Sequence, residues 1–307
     1  MRGFETFESA RLDGLGIRHR HDVPAPAVAQ AIELHRRAHA QGRDACLKWG
    51  PGSSVSRVLI RGGEEELDMA VKWTPWRGWR GALSDALHGS RARRALAGSR
   101  RLAAAGLHAP EVLAVAETRR LGVVRESFLL TRYLAGADPL PVALERLRGR
   151  TARRRALLRT LGAAIGALHA AGFDHRDLKH SNLMVCHARR IAFLDLEALA
   201  GPAPLGARQR VRALGLLESY ARDLYGWLPA RERLCFLRAY VDAQPQLAGH
   251  ERALARDVAR DAERRVALWA ACPRDAQRHF PLAPRDALPC TTADAATPRG
   301  GAHGSRG

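Results

Sequence analysis

Lysine and asparagine are nearly missing from this chain of 307 residues. Of its 50 basic residues only Lys48, Lys72 and Lys179 are Lys, the rest being Arg, and Asn182 is the only Asn. Against so strong a preference for Arg, each remaining Lys marks a candidate functional position, because a compact ammonium and a planar guanidinium are not interchangeable. Lys179 and Asn182 fall together in "FDHRDLKHSNLMV", residues 173–185, a dense polar cluster set between an apolar helical segment and a β-like run.

Other absences narrow the class. No apolar run approaches the roughly 20 residues a spanning helix requires. The N-terminus "MRGFETFESARLDG" has no apolar signal core, so a cytoplasmic location is expected. The five cysteines, Cys46, Cys186, Cys235, Cys272 and Cys290, are odd in number and without CxxC spacing, which suggests neither a disulfide framework nor a zinc site. His19 and His21 in "RHRH" read as exposed basic-terminus residues rather than metal ligands. The net charge of +19 implies attraction to an anionic partner: nucleic acid, a phosphorylated small molecule or an acidic membrane surface. No RNP-like aromatic strand, helix-turn-helix or finger pattern accompanies that charge, so no specific nucleic-acid partner is expected.

What is present, 46% hydrophobic residues, suffices for one large domain or two modest lobes. Residues 25–41 read as a helix of unassigned role. "DACLKW", "SSVSRVLIR" and "ELDMAVKWT", separated by "GPG" and "GGEE", read as an antiparallel meander. "EVLAVAE" and "ESFLLTRYL" predict two further strands, and the Arg-rich "SRARRALAGSRRLAAAG" between the two groups predicts a helix with Gly106 at C′. After "AGADPLP" the pattern turns helical. "TARRRALLRTLGAAIGALHAAG" puts Leu157, Leu158, Leu161, Ala164, Ile165 and Leu168 on one face, with Thr151 as N-cap and Gly172 at C′. A short strand in "RRIAFLDLEAL" and helices from about 204 to 271 follow. These runs divide the chain into an N-terminal extension (1–42), a β-rich lobe (43–135), a helical lobe (136–282) and a low-complexity tail (283–307) expected to lack structure.

"HRDLKHSN" matches the catalytic loop of protein kinases. A carboxylate can take the proton of an attacking hydroxyl, and an amide oxygen can ligate a hard cation without adding charge beside the phosphates. Those roles fall to Asp177 and Asn182, with Lys179 positioned to reach the transferred phosphoryl. Asp195 in "FLDLE" stands where a D-F-G motif would supply a second magnesium ligand, with Leu196 and Glu197 replacing Phe and Gly. "MAVK" resembles the V-A-I-K strand and makes Lys72 the partner of the α- and β-phosphates. "GPGSSVSRV" offers Gly50, Gly52 and Ser53 to the nucleotide, although Val55 stands where a third glycine belongs. Arg132 and Leu134, at the end of "ESFLLTRYL", complete the set of candidate nucleotide contacts.

Across residues 44–245 the chain resembles the lipopolysaccharide kinase family, the Kdo and heptose kinases with a protein-kinase-like fold. Beyond the generic motifs, "SRARRALAGSRRLAAAGLHAPEVLAV" and "LLESYARDLYGWLPARERLCFLRAYV" are similar to segments of that family. The resemblance implies an α+β, two-lobed fold with ATP and Mg2+ held between the lobes. It also implies γ-phosphoryl transfer to a sugar of the lipopolysaccharide inner core, at the cytoplasmic membrane face. His175 would brace the catalytic loop from the core. The short stretch between Asp195 and the tail, without an A-P-E motif, favours a small or lipid-linked acceptor over a protein. One departure is plain: no Glu occurs between Glu66 and Glu111, and Asp85 is the only acid between Lys72 and Glu111, so the Arg-rich helix lacks the usual Glu partner for Lys72. A RIO-like protein serine kinase and a degenerate, nucleotide-binding pseudokinase are the alternatives. In "KWTPWRGWRG", Trp73, Trp76 and Trp79 interleave with Arg77 and Arg80, which suits either an interfacial segment meeting acidic headgroups or a solvated loop with packed tryptophans.

Overall fold

A computed structural model describes residues 6–50, 52–61, 66–187, 190–271 and 290–294. The chain divides into two compact units, the first made of residues 1–92, 112–133 and 289–307 and the second of 93–111 and 134–288.

The first unit is an antiparallel sheet covered by one helix. β1 (Phe7–Leu12) and β2 (Leu15–Arg20) form a hairpin, α1 (Ala25–Gln41) follows, and β3 (Ser54–Arg61) pairs with β4 (Leu67–Thr74). After α2 (Gly78–His88) come β5 (Val112–Arg120) and β6 (Val123–Arg132), and the strand order is β1-β2-β5-β6-β4-β3. The N-terminal segment is thus no separate extension. β2 pairs with β5, and Ile17, Val28, Ala31 and Ile32 enter the same core as Val58, Met69 and Phe128. Period-two alternation sends Ser54, Ser56, Val58 and Ile60 of β3 toward this core. The two buried serines are satisfied by His35 of α1, whose Nδ1 lies 2.6 Å from Ser56 Oγ and whose Nε2 lies 3.1 Å from Ser54 Oγ.

"DACLKW" forms no full strand, contrary to expectation. It becomes a 3-10 turn at Arg43–Ala45 and a single bridge, Lys48 to Val55, because the turn takes up its first two residues and leaves only Cys46–Trp49 to pair. Within the tail, Cys290–Asp294 pair as a parallel strand on the open edge of β3, and the remainder of 283–307 lies outside the described residues.

The second unit opens with all but the first two residues of α3 (Arg91–Ala104). Its end is a Schellman motif at Gly106 (φ 71°), with Leu107 N donating to Leu102 O at 2.9 Å and Gly106 N to Ala103 O at 3.0 Å. β7 (Asp138–Pro139), α4 (Leu140–Arg146) and α5 (Thr151–Ala170) follow. Leu157, Leu158, Leu161, Ile165 and Leu168 of α5 are buried as its periodicity predicts, with Ala164 partly buried. Thr151 is the first helical residue and Arg150 the N-cap, a shift of one position from the expected cap. Gly162 and Gly166 let α7 (Ala230–Asp242) approach closely, since a Cβ at either would meet backbone atoms of Phe236 and Tyr240 at under 3.0 Å. α6 (Ala207–Leu224) and α8 (Glu251–Ala271) complete the helical layer. Among the described residues, no helix is long and apolar enough to cross a membrane.

His35 in the first unit and His169 in the second are buried in their neutral form. Burial pushes His35 and His169 down from 6.5 to about 4, and His169 Nδ1 lies 2.8 Å from the Tyr240 hydroxyl. Below about 6.5 the unfolded chain takes up protons that the folded chain refuses until about 4, so stability is lost as pH falls through that window. The expected loss is on the order of 3 kcal/mol for each histidine. Urea unfolding at a series of pH values checks this, and His169→Gln should flatten the acid limb of the profile.

Candidate active site

The polar cluster is held by apolar anchors placed between its functional residues. α5 ends in a second Schellman motif at Gly172 (φ 81°), which turns the chain into the two-residue strand β8 (Asp174–His175). β8 pairs with β11 (Leu199–Ala200), and beyond the loop β9 (Leu183–Val185) pairs with β10 (Ile191–Phe193). Leu178, Leu183 and Phe193 are buried in the core of the second unit, and each such side chain contributes roughly 1.5–3 kcal/mol to fixing the loop. Two polar contacts converge on Leu194: its N–H donates to Asn182 O at 2.8 Å, and its carbonyl accepts from His175 Nε2 at 2.7 Å. His175 therefore carries its ring proton on Nε2 and ties β8 to the residue before Asp195. Asp195 itself adopts φ 59°, ψ 51°, a left-handed conformation that is uncommon for a residue other than glycine and clusters at functional sites.

Asp177, Lys179 and Asn182 form one bonded group. Lys179 Nζ lies 2.7 Å from Asp177 Oδ2, and Asn182 Nδ2 donates to the same oxygen at 3.0 Å and to Asp177 O at 2.9 Å. Both side-chain contacts fall on Oδ2 and leave Oδ1 outside the pair. With its nitrogen committed to Asp177, Asn182 has its amide oxygen to offer a cation. No group of three or more His, Cys, Asp or Glu able to hold a metal occurs among the described residues. One amide oxygen and one carboxylate, Asn182 and Asp195, are the hard donor set that suits Mg2+, which keeps its other positions for phosphate oxygens and water. By residue type the two donors suit the ion.

The Arg-rich helix does something other than supply a glutamate. Arg101 of α3 donates to Gly201 O at 2.6 Å and to Leu199 O at 3.0 Å, satisfying the backbone of the segment that follows Asp195. One turn earlier, Gly98 leaves room for Leu196 O, which a Cβ would meet at 2.7 Å. α3 is thereby fastened to the Asp195 segment by arginine and close backbone contact. Asp174 is similarly held by Arg212 of α6.

In the first unit, strand register sorts the remaining candidates. Lys72 pairs with Val55 on one side and Leu129 on the other, and Val55 also bridges Lys48. Directly opposed residues share a face, so Lys48 and Lys72 lie on the same side of the sheet, about 10 Å apart across two strand spacings. In sequence Lys48 stands out only as a rare lysine, since a single bridge within "DACLKW" has no local pattern that gives its register. Arg132 pairs with Met69 and so lies on the α1 face, opposite Lys72. Leu134 belongs to the second unit and packs with Ala137, Met184 and Ala192. The "GPGSS" reversal is closed by reciprocal bonds between Lys48 and Val55 at 3.1 and 2.8 Å, with Ser53 just inside it. Neither Gly50 nor Gly52 has a positive φ, so what they contribute is bare backbone rather than an unusual turn.

An antiparallel sheet and a helical unit that carries a bonded Asp-Lys-Asn loop and a left-handed Asp make a protein-kinase-like fold. The chain belongs to the lipopolysaccharide kinase (Kdo/WaaP) family, whose model matches residues 79–240, more than half of it. It is therefore a kinase. Among solved structures, WaaP in complex with acyl carrier protein is similar at 24% identity and a TM-score of 0.50, over 70% of this chain and 85% of that one, a likeness of fold. The bifunctional kinase-methyltransferase WbdD is a looser neighbour, at 17% identity and a TM-score of 0.38, over 82% of this chain and 54% of that one. No curated protein matches in sequence.

Proposed function

We propose that this kinase transfers the γ-phosphoryl group of ATP, with Mg2+, to a hydroxyl of a Kdo or heptose residue in the lipopolysaccharide inner core. The observation that carries the reading is the convergence of Lys179 and Asn182 on one oxygen of Asp177, within a chain of the lipopolysaccharide kinase family. Asp177 orients the sugar hydroxyl and takes its proton as the new O–P bond forms and the bond from the γ-phosphorus to the β-phosphate oxygen breaks, releasing ADP. Lys179 offsets charge on the oxygens of the transferred group. Asn182 and Asp195 present oxygens to Mg2+, and a bound ion would neutralise the phosphates. Lys72, with Gly50, Gly52 and Ser53 nearby in the sheet and its loop, contacts the nucleotide phosphates.

The acceptor is lipid-linked, so the enzyme works peripherally at the inner face of the inner membrane. Mass spectrometry of dephosphorylated inner-core oligosaccharide incubated with ATP, Mg2+ and the protein tests the acceptor. One added phosphate on Kdo or heptose is expected. Phosphate on added protein substrates instead would favour a protein kinase, and ATP binding without transfer to either would favour a pseudokinase.

A further inference from the structure

α2 carries an apolar stripe that none of the described residues covers. Trp79, Leu83 and Leu87 are spaced at i, i+4 and i+8, and with Ala86 they fall within one arc of the helix. Their exposures are 75%, 64% and 70%, and no residue of α2 is buried. Arg77, Ser84, Asp85 and His88 occupy the other side, and Arg80 lies at the rim of the stripe.

A second exposed apolar residue belongs to the same end of the unit. Leu121, in the turn between β5 and β6, is 95% exposed and adopts φ 51°. Arg119 Nη1 donates to Gly122 O at 2.9 Å and so fixes the turn that holds Leu121 out. The turn and the helix are linked by stacking. Arg125 of β6 lies over the Trp76 ring at 4.4 Å, and Trp76 meets Trp79 edge to face at 5.6 Å.

We infer that α2 and the β5–β6 turn dock this unit on an acidic lipid bilayer, with Trp79, Leu83, Leu87 and Leu121 entering the boundary between headgroups and acyl chains. Charge complementarity selects that occupant. Arg80, at the rim of the stripe, and Arg120, next to Leu121, are exposed beside the apolar residues, the one acid of α2 lies away from the stripe, and the whole chain carries +19. Arg beside Trp and Leu on an in-plane helix matches lipid phosphates above acyl chains. A short helix alone would hold weakly; the Leu121 turn is the second anchor.

The inference is tested by vesicle flotation of the full chain, a readout independent of phosphoryl transfer. Wild type should float with vesicles of phosphatidylcholine and phosphatidylglycerol, less in high salt, and hardly with phosphatidylcholine alone. Leu83→Ser combined with Leu87→Ser should weaken partitioning roughly a hundredfold. Because both side chains are exposed, the melting temperature should stay the same. Trp79→Phe should remove a blue-shifted component from the vesicle-induced fluorescence change. Equal flotation of wild type and the double variant would overturn the proposal. So would a wild-type dimer that the same substitutions dissociate while flotation is unchanged, which would assign the stripe to a second copy of the chain.

Discussion

Asp177→Ala is expected to lower turnover about 10²- to 10⁴-fold while leaving ATP affinity within a few-fold of wild type. The side chain accepts from Lys179 and Asn182, and the Lys179 pair is partly exposed, a class of interaction that contributes at most about 1 kcal/mol to folding. Loss of activity would therefore reflect chemistry rather than unfolding. Asp177→Asn sharpens the test, because its amide oxygen can still accept from Lys179 and Asn182 but cannot take a proton. It should fail as badly as Asp177→Ala. Asp195→Ala should differ from both by weakening metal-dependent nucleotide binding as well.

The second large effect concerns the frame of the second unit. Arg154 of α5 and Glu232 of α7 form a bidentate pair at 2.7 and 3.0 Å, with side-chain exposures of 5% and 1%. Arg154 also donates to the carbonyls of Leu147 and Arg148, closing the end of α4. Removing one partner strands the other charge in a dry site. Glu232→Ala should cost about 3–5 kcal/mol, read as a lowered urea midpoint. Replacing both residues by apolar ones of similar volume should restore much of that, whereas equal losses in the single and double variants would show that the loss comes from the missing pair itself and not from a stranded charge.

The parts of the structure that were legible in sequence are those where local chemistry and global fold agree. α1 spans the predicted residues because Pro24 and Gly42 punctuate a clean apolar period. A candidate role could be read for residues 175–182 because their types are those that phosphoryl transfer requires. The β1–β2 hairpin was missed although Asp13-Gly14 marks its turn, with φ of 50° and 78°. Arg18, His19 and Arg20 obscured the alternation that β2 needs to read as a strand. The place of Arg132 could not be read because a face follows from pairing register, which a single run of residues does not contain. Likewise, the missing glutamate of α3 reads in sequence as a defect. Only the contacts of Arg101 and Gly98 show the helix holding the Asp195 segment.

The most direct test of a phosphotransferase built on Asp177 is ATP consumption by the purified protein with Mg2+, with and without lipopolysaccharide inner-core acceptor, beside Asp177→Ala. The expected result is turnover that requires both the acceptor and Asp177. Turnover that is equal in wild type and Asp177→Ala, or that ignores the acceptor, would contradict it.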